Sequence, residues 1–406
     1  MCEGGGFSFV SGRCFSERGR IADKFKRRRI HNGAPALKGP SLQTTIRDPI
    51  IFHKGYLQEK TQKNSNQNLI MQIKSLYNKI HRRRQLFAAD NEKCAAFRVR
   101  GAERLQWIQR KKERKMRVLD SELMKGYARM AMDGFNQGWH ERNGGNLSYR
   151  MKSEEVEALK DDFRTDDEWR VIGWQADDAS SFPDLAGEYF MVSGSGKYFR
   201  NIELDPEANV GIIELNESGD RYRIVWGLKN GAKPTSELPT HLANLQVIKA
   251  RNPELRVVYH CHPVNVIALT YVLPLDSRVF TREIYEMATE CPIVFPEGIG
   301  IVPWMLCGGK LIGDATSEIM KTQDVAIWAH HGAFCCGQDF DLTFGLMHTV
   351  EKAAEVLVKV MSMSSYKLNT ITPEMFRELN APFGVHINEK FLYEKKDGKI
   401  GQIPEV

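Results

Sequence analysis

Val257-Val258-Tyr259-His260-Cys261-His262-Pro263 runs β-branched and aromatic residues into a His-x-His pair closed by a proline, the pattern of a strand that ends at a loop. Alternate side chains of a strand share a face. His260 and His262 therefore point the same way, roughly 6–7 Å apart along the backbone, a spacing at which two imidazoles can converge on one ion. Cys261 faces the opposite way, into packing. An isolated His-x-His is also what two hydrogen-bonded core or rim histidines look like, so the decision between ligand and structural residue falls to the rest of the chain.

Upstream, Thr235-Ser236-Glu237-Leu238-Pro239 combines a hydroxyl cap, a first-turn carboxylate and a first-turn proline, and predicts a helix to about Ala250 that leads into the histidine strand. Its N-terminus suits a phosphate. Glu237 sits at the same mouth, and helix capping accounts for it locally. Downstream, an apolar strand at 324–328 ends in Ala329-His330-His331-Gly332-Ala333. Only one face of that strand end can meet the first pair, so one of His330 and His331 is a candidate third ligand.

The other elements alternate in kind. Leu123, Met124, Tyr127, Met130, Ala131, Phe135 and Trp139 fall at helical spacing behind a Ser121 or Asp120 cap. His140 to Tyr149 passes through Gly144-Gly145 into a short strand, and 151–187, acidic and broken by Gly173 and Pro183, reads as a surface excursion. A strand at 189–192 delivers Ser193-Gly194-Ser195-Gly196-Lys197, small residues whose N–H groups can approach an anion. The segments 210–215 and 222–226 pattern as a hairpin. Helices are expected at 265–273, 282–287 and 342–361, and strand pieces at 293–295 and 300–303.

Charge divides the chain. Through Leu119 there are 28 Lys and Arg against 9 Asp and Glu, and beyond it 29 against 42, so a basic extension precedes an acidic body. Residues 1–115 carry Lys26-Arg27-Arg28-Arg29, Arg82-Arg83-Arg84 and little apolar periodicity outside 68–80. Such a segment is expected to be disordered. It could serve as a nucleic-acid or anionic-surface tail or a targeting peptide. The expectation adopted is that it lies outside the working protein, with translation starting near Met116 ahead of a capped helix and residues 116–406 forming the globular domain. No apolar run has the length of a membrane span. The eight scattered cysteines lack the spacing of a zinc ribbon or disulfide framework and read as reduced thiols of a cytoplasmic protein.

From about Met116 to Glu394 the chain resembles the class II aldolase/adducin family. The resemblance rests on Glu-Arg-Asn-Gly-Gly-Asn (141–146), Ser-Gly-Ser-Gly-Lys-Tyr-Phe-Arg-Asn (193–201), Thr-Ser-Glu-Leu-Pro-Thr-His (235–241), His-Cys-His (260–262) and His-Gly (331–332). Each motif is common; their order and spacing together are specific. The resemblance implies an α/β fold, a three-layer α/β/α domain with a central mixed, mostly antiparallel sheet, assembled as a homotetramer with sites at subunit interfaces. It makes His260, His262 and His331 the ligands of one Zn²⁺ per subunit and Glu237 the catalytic base. Asn143, Gly144, Asn146, Ser195, Gly196, Thr235 and Ser236 would cradle the phosphate and adjoining hydroxyls of a sugar phosphate, and Glu290 would serve a neighbouring subunit's site. The implied reaction is reversible cleavage of L-rhamnulose 1-phosphate to dihydroxyacetone phosphate and L-lactaldehyde. Fuculose or ribulose phosphate aldolases and 4-epimerases share the scaffold, and so do non-catalytic adducin-like proteins. Retention of the three histidines and Glu237 speaks against the last. His330 and Cys335-Cys336 stand where apolar or small residues are expected, which raises a second metal or redox feature.

Overall fold

Among the described residues nine strands form one sheet: β1 (Asn146–Arg150), β2 (Arg170–Val171), β3 (Tyr189–Ser193), β4 (Val210–Leu215), β5 (Arg221–Gly227), β6 (Val257–Cys261), β7 (Ile299–Val302), β8 (Val325–Trp328) and β9 (Gly332–Gly337). The computed structural model describes residues 116–174, 180–395 and 398–403. The basic segment 1–115, with the expectations of disorder and of a tail function, lies outside the described residues. The strands lie in the order β2-β5-β4-β3-β1-β6-β9-β8-β7. Every neighbouring pair is antiparallel except β7 and β8.

The histidine strand β6 sits at the centre, between β1 and β9, and all of its residues are buried. Its alternation feeds two cores. Val257, Tyr259 and Cys261 enter one, which is completed by Met124, Tyr127 and Met130 of the helix Glu122–Asn136, Phe280 and Ile284 of Ser277–Tyr285, and Met347 and Val350 of Phe340–Met363. Val258 enters the other, with Leu242, Leu245 and Ile248 of Leu238–Arg251 and Ile312 and Met320 of Lys310–Met320. Helices therefore cover both faces of a mixed, mostly antiparallel sheet, the three layers expected. Each fully buried aliphatic side chain among these contributes on the order of 2 kcal/mol. Among the described residues no helix is long and apolar enough to cross a membrane.

Some local expectations need correction. The segment 293–295 is not a strand: Cys291–Val294 is a short helix with proline in its first turn, which breaks ladder donation and sets a helical φ. Residues 151–187 are more than a surface excursion. Ile172, Phe182 and Leu185 enter the second core, and β2 pairs with the edge of β5. Their acidic neighbours masked that apolar set. The helix expected at 265–273 ends at Leu269, where the Thr270 hydroxyl bonds the Ile267 carbonyl. The one expected at 282–287 begins earlier, at Ser277, capped by Asp276.

Candidate active site

At the end of β6 His260 is almost fully buried, and its Nδ1–H donates to the Ala333 carbonyl at 3.0 Å. The Nε2 lone pair is left facing the strand end. His262, one residue beyond β6, bonds Glu141 Oε1 through Nδ1 at 2.7 Å, and its buried Nε2 has no hydrogen-bond partner. His331 lies in the turn between β8 and β9. One ligand atom from each of the three rings lies within 4.8 Å of the others. Burial, reinforced by the neighbouring rings, pushes His260 well below the usual imidazole range; burial and His262 bring His331 down to about 4. At neutral pH those two rings are unprotonated. Buried acceptors converging with no donor between them are costly unless a cation fills the gap, so the trio fits a metal with three histidine ligands and open positions. Among the described residues it is the one group with such geometry.

Backbone details aim these rings. His330 has φ 63°, a left-handed conformation. It turns its own ring outward against Tyr271, with Nδ1 3.2 Å from the Thr270 hydroxyl, and its neighbour His331 swings inward. The choice between the two histidines is thus made by a torsion angle. Gly332 passes so close to the site that a Cβ there would stand 2.6 Å from the Cys261 carbonyl and 2.8 Å from the His262 ring. At Gly145, with φ 76°, a Cβ would meet the His260 carbonyl at 2.6 Å.

Glu237 closes the site from the opposite side. It is the N-cap residue of Leu238–Arg251, yet its side chain makes no capping bond. Oε2 instead accepts from Asn146 Nδ2 at 2.8 Å and stands 3.9 Å from His260 Nε2. Thr235 does not cap the helix as expected either; its hydroxyl accepts from the Glu237 N–H at 3.3 Å. Burial raises the Glu237 carboxyl above its ordinary range, and the Asn146 bond opposes that shift. A desolvated carboxylate beside the three imidazoles can accept and return a proton.

The remaining candidates lie on the turn before β1, at its first residue, on the loop after β3 and on the segment before Leu238–Arg251. Asn146 pairs with His260 in register across β1 and β6. The loop after β3 is zipped to the segment before the helix: Ser195 N–H donates to Lys233 O and Thr235 N–H to Ser193 O, both at 2.8 Å. Ser195, Gly196, Ser236 and Asn143 are exposed, Gly144 is half-buried and Thr235 is buried. Glu290 does not join them within one chain. It is exposed at the head of Cys291–Val294 and lines a groove of about 470 Å³ with His348, Thr349 and Lys352.

Two residues not singled out as functional help to build the site. Glu141 orients His262, and it stood unread inside a motif. His140 stacks on Phe199 at 3.9 Å, donates from Nδ1 to Gly144 O at 2.9 Å and meets the Tyr259 hydroxyl through Nε2 at 2.6 Å, so it braces the 140–145 turn. Among the described residues Cys335-Cys336 takes part in no second group that could hold a metal. Adjacent in β9, the two thiols enter opposite cores, and burial pushes both up, away from thiolate.

A family model described as the Class II Aldolase and Adducin N-terminal domain matches residues 125–358. The chain is similar to the rhamnulose-1-phosphate aldolase of Escherichia coli O139:H28, at 45% identity over 269 residues, 66% of this chain and 96% of that protein. It has the same identity and coverage with the enzyme of that name from Escherichia coli O157:H7. A solved sugar-phosphate aldolase from Thermotoga maritima is similar with a TM-score of 0.50 and 26% identity, covering 61% of this chain and 98% of the other.

Proposed function

The chain belongs to the class II aldolase and adducin family, and from that premise we propose that it is a metal-dependent aldolase, a carbon–carbon lyase that reversibly cleaves L-rhamnulose 1-phosphate to dihydroxyacetone phosphate and L-lactaldehyde. The observation that carries the reading is the convergence of His260, His262 and His331 within 4.8 Å, with the buried Glu237 carboxylate 3.9 Å from His260. A divalent cation on these histidines, which we take to be one Zn²⁺ per chain, supplies Lewis-acid stabilisation of the negative charge left when the C3–C4 bond breaks. No Schiff-base lysine is then required, and Lys197 has no nucleophilic role.

Glu237 takes up and returns the proton that moves in the two directions of the reaction. Thr235, Ser236, Ser195 and Gly196 hold the phosphate, and Asn143, Gly144 and Asn146 the adjoining hydroxyls, so that substrate binding energy goes into orientation. Glu290 serves the site of a neighbouring subunit in a homotetramer. Residues 116–406 form the catalytic domain, with 1–115 as an extension to it. The buried thiols of Cys261, Cys291, Cys335 and Cys336 support a reducing, cytoplasmic setting.

Metal content and turnover measured side by side test this. Wild type should carry about one metal per chain and cleave rhamnulose 1-phosphate in preference to fuculose 1-phosphate. His260→Ala should lose the metal, and Glu237→Gln should keep it and lose cleavage. A wild-type chain that binds no metal and cleaves neither sugar overturns the reading, whereas a preference for fuculose 1-phosphate corrects the substrate alone.

A further inference from the structure

Behind Glu237 stands a line of buried polar groups that runs from the sheet to the helix and back. Ser148 and His241 are wholly inaccessible, and neither touches the candidate metal ligands through a hydrogen bond. Asn146 and Ser148 alternate along β1 and so share a face. Glu237 and His241 lie one turn apart, with the His241 N–H donating to the Glu237 carbonyl at 3.0 Å. The side chains of these two pairs interlock. Ser148 Oγ lies 2.6 Å from His241 Nδ1, His241 Nε2 bonds Asn146 Oδ1, and Asn146 Nδ2 lies 2.8 Å from Glu237 Oε2.

Hydrogen-bond valence gives this line a direction. An ionised carboxylate only accepts, so Asn146 must turn its NH₂ to Glu237 and its oxygen to His241. That oxygen also only accepts, so His241 Nε2 carries the ring proton. Nδ1 is then an acceptor, and the Ser148 hydroxyl donates to it. Every bond thus points toward Glu237. A reversed amide would set its oxygen against the carboxylate, and only a protonated Glu237 could satisfy it.

We propose that Ser148 and His241 are positioning residues that fix the amide of Asn146, and through it hold the Glu237 carboxylate aimed into the site. The inference rests on Glu237 being the proton carrier. It adds that the carrier's orientation is dictated from the buried layer between β1 and the helix Leu238–Arg251.

The test uses the metal-loaded full chain as wild type, His241→Leu, His241→Gln and Ser148→Ala, with Glu237→Gln as the control. His241→Leu is expected to lower kcat per metal-loaded chain about 10- to 100-fold with KM little changed, the scale on which groups behind a site act. His241→Gln can donate to Asn146 and accept from Ser148, and it should recover most of the loss. Ser148→Ala, which removes a single hydroxyl, should lower kcat in the same direction as His241→Leu with KM little changed. A readout free of turnover comes from ¹⁵N-histidine NMR: the wild type should show a buried Nε2–H ring whose signals vanish in both His241 variants.

Unchanged kcat in His241→Leu or Ser148→Ala, a Gln variant no better than Leu, or an Nδ1–H tautomer overturns the proposal. If Glu237→Gln turns over as fast as wild type, the assignment of Glu237 falls instead, and the tautomer alone then decides the bond order.

Discussion

Two buried polar clusters can be set side by side. In one, Glu283 and Glu286 on the helix Ser277–Tyr285 and just beyond it are met by Lys367, Lys395 and Arg282, all nearly inaccessible. Each of the four carboxylate oxygens has a partner: Glu283 receives Lys395 at 2.5 Å, Lys367 at 2.6 Å and the Gly401 N–H at 2.8 Å, and Glu286 receives Arg282 at 2.6 Å together with both lysines. Burial alone would raise the Glu286 carboxyl, but the Lys367 and Lys395 ammonium groups hold it below the usual carboxylate range. In the other cluster, His260, His262 and His331 bring three acceptors together, and His262 Nε2 has no partner at all. Every carboxylate acceptor of the first cluster is met within the chain, with Arg282 Nη1 a buried donor left over; the acceptors of the second are met only with a cation. Saturation, more than burial or charge, separates a polar group that holds the C-terminal segment in place from one that binds something.

The sharpest way to break that contrast is to unbalance the saturated cluster. Lys367→Met leaves Glu283 and Glu286 short of a buried counter-charge and is expected to cost ~3–5 kcal/mol of stability, read by chemical denaturation. Metal content and turnover per folded chain should stay at wild-type levels. A loss of metal in that variant would mean the two clusters are coupled and the contrast is false.

A smaller effect comes from histidines that are buried and already paired. Burial brings His140 down to about 3 and His241 likewise. The unfolded chain takes up these protons near pH 6.5, while the folded chain refuses them until about pH 3, so stability is full above 6.5 and falls as the pH drops through that window. One such residue accounts for about 2 kcal/mol lost between pH 6.5 and 5. In metal-free protein, His140→Gln should flatten the decline by about that amount, whatever it costs at pH 7. An unaltered pH slope would mean that His140 titrates normally and does not brace the turn through its neutral ring.

How far the sequence could be read depended on whether each cause was local. The period of two in β6 sufficed to set His260 and His262 on one face with Cys261 opposed, and the three layers followed from the resemblance. His331 was legible only as one of a pair, because the left-handed backbone at His330 is set by the turn between β8 and β9. Glu237 read locally as a cap. Its real partner, Asn146, lies 91 positions away and is brought near by the pairing of β1 with β6, which no motif spells out. Nothing near Lys367 and Lys395 in sequence announces their pairing with Glu283 and Glu286.

The finest test of the comparison lies at the edge of the open cluster. Glu141 is largely exposed, so its charge adds little by itself, but its bond to Nδ1 fixes which nitrogen of His262 carries the proton. With Nδ1–H given to Glu141, the Nε2 lone pair must face His260 and His331. Glu141→Leu frees the ring to place its proton on Nε2, where it would meet the metal, and metal affinity should fall by about tenfold. Glu141→Gln retains an acceptor oxygen and should keep most of the affinity, as measured by competition with a chelator. If Gln is as damaging as Leu, the carboxylate acts through its charge instead, and the open cluster is tuned by electrostatics at its rim as well as by the direction of its lone pairs.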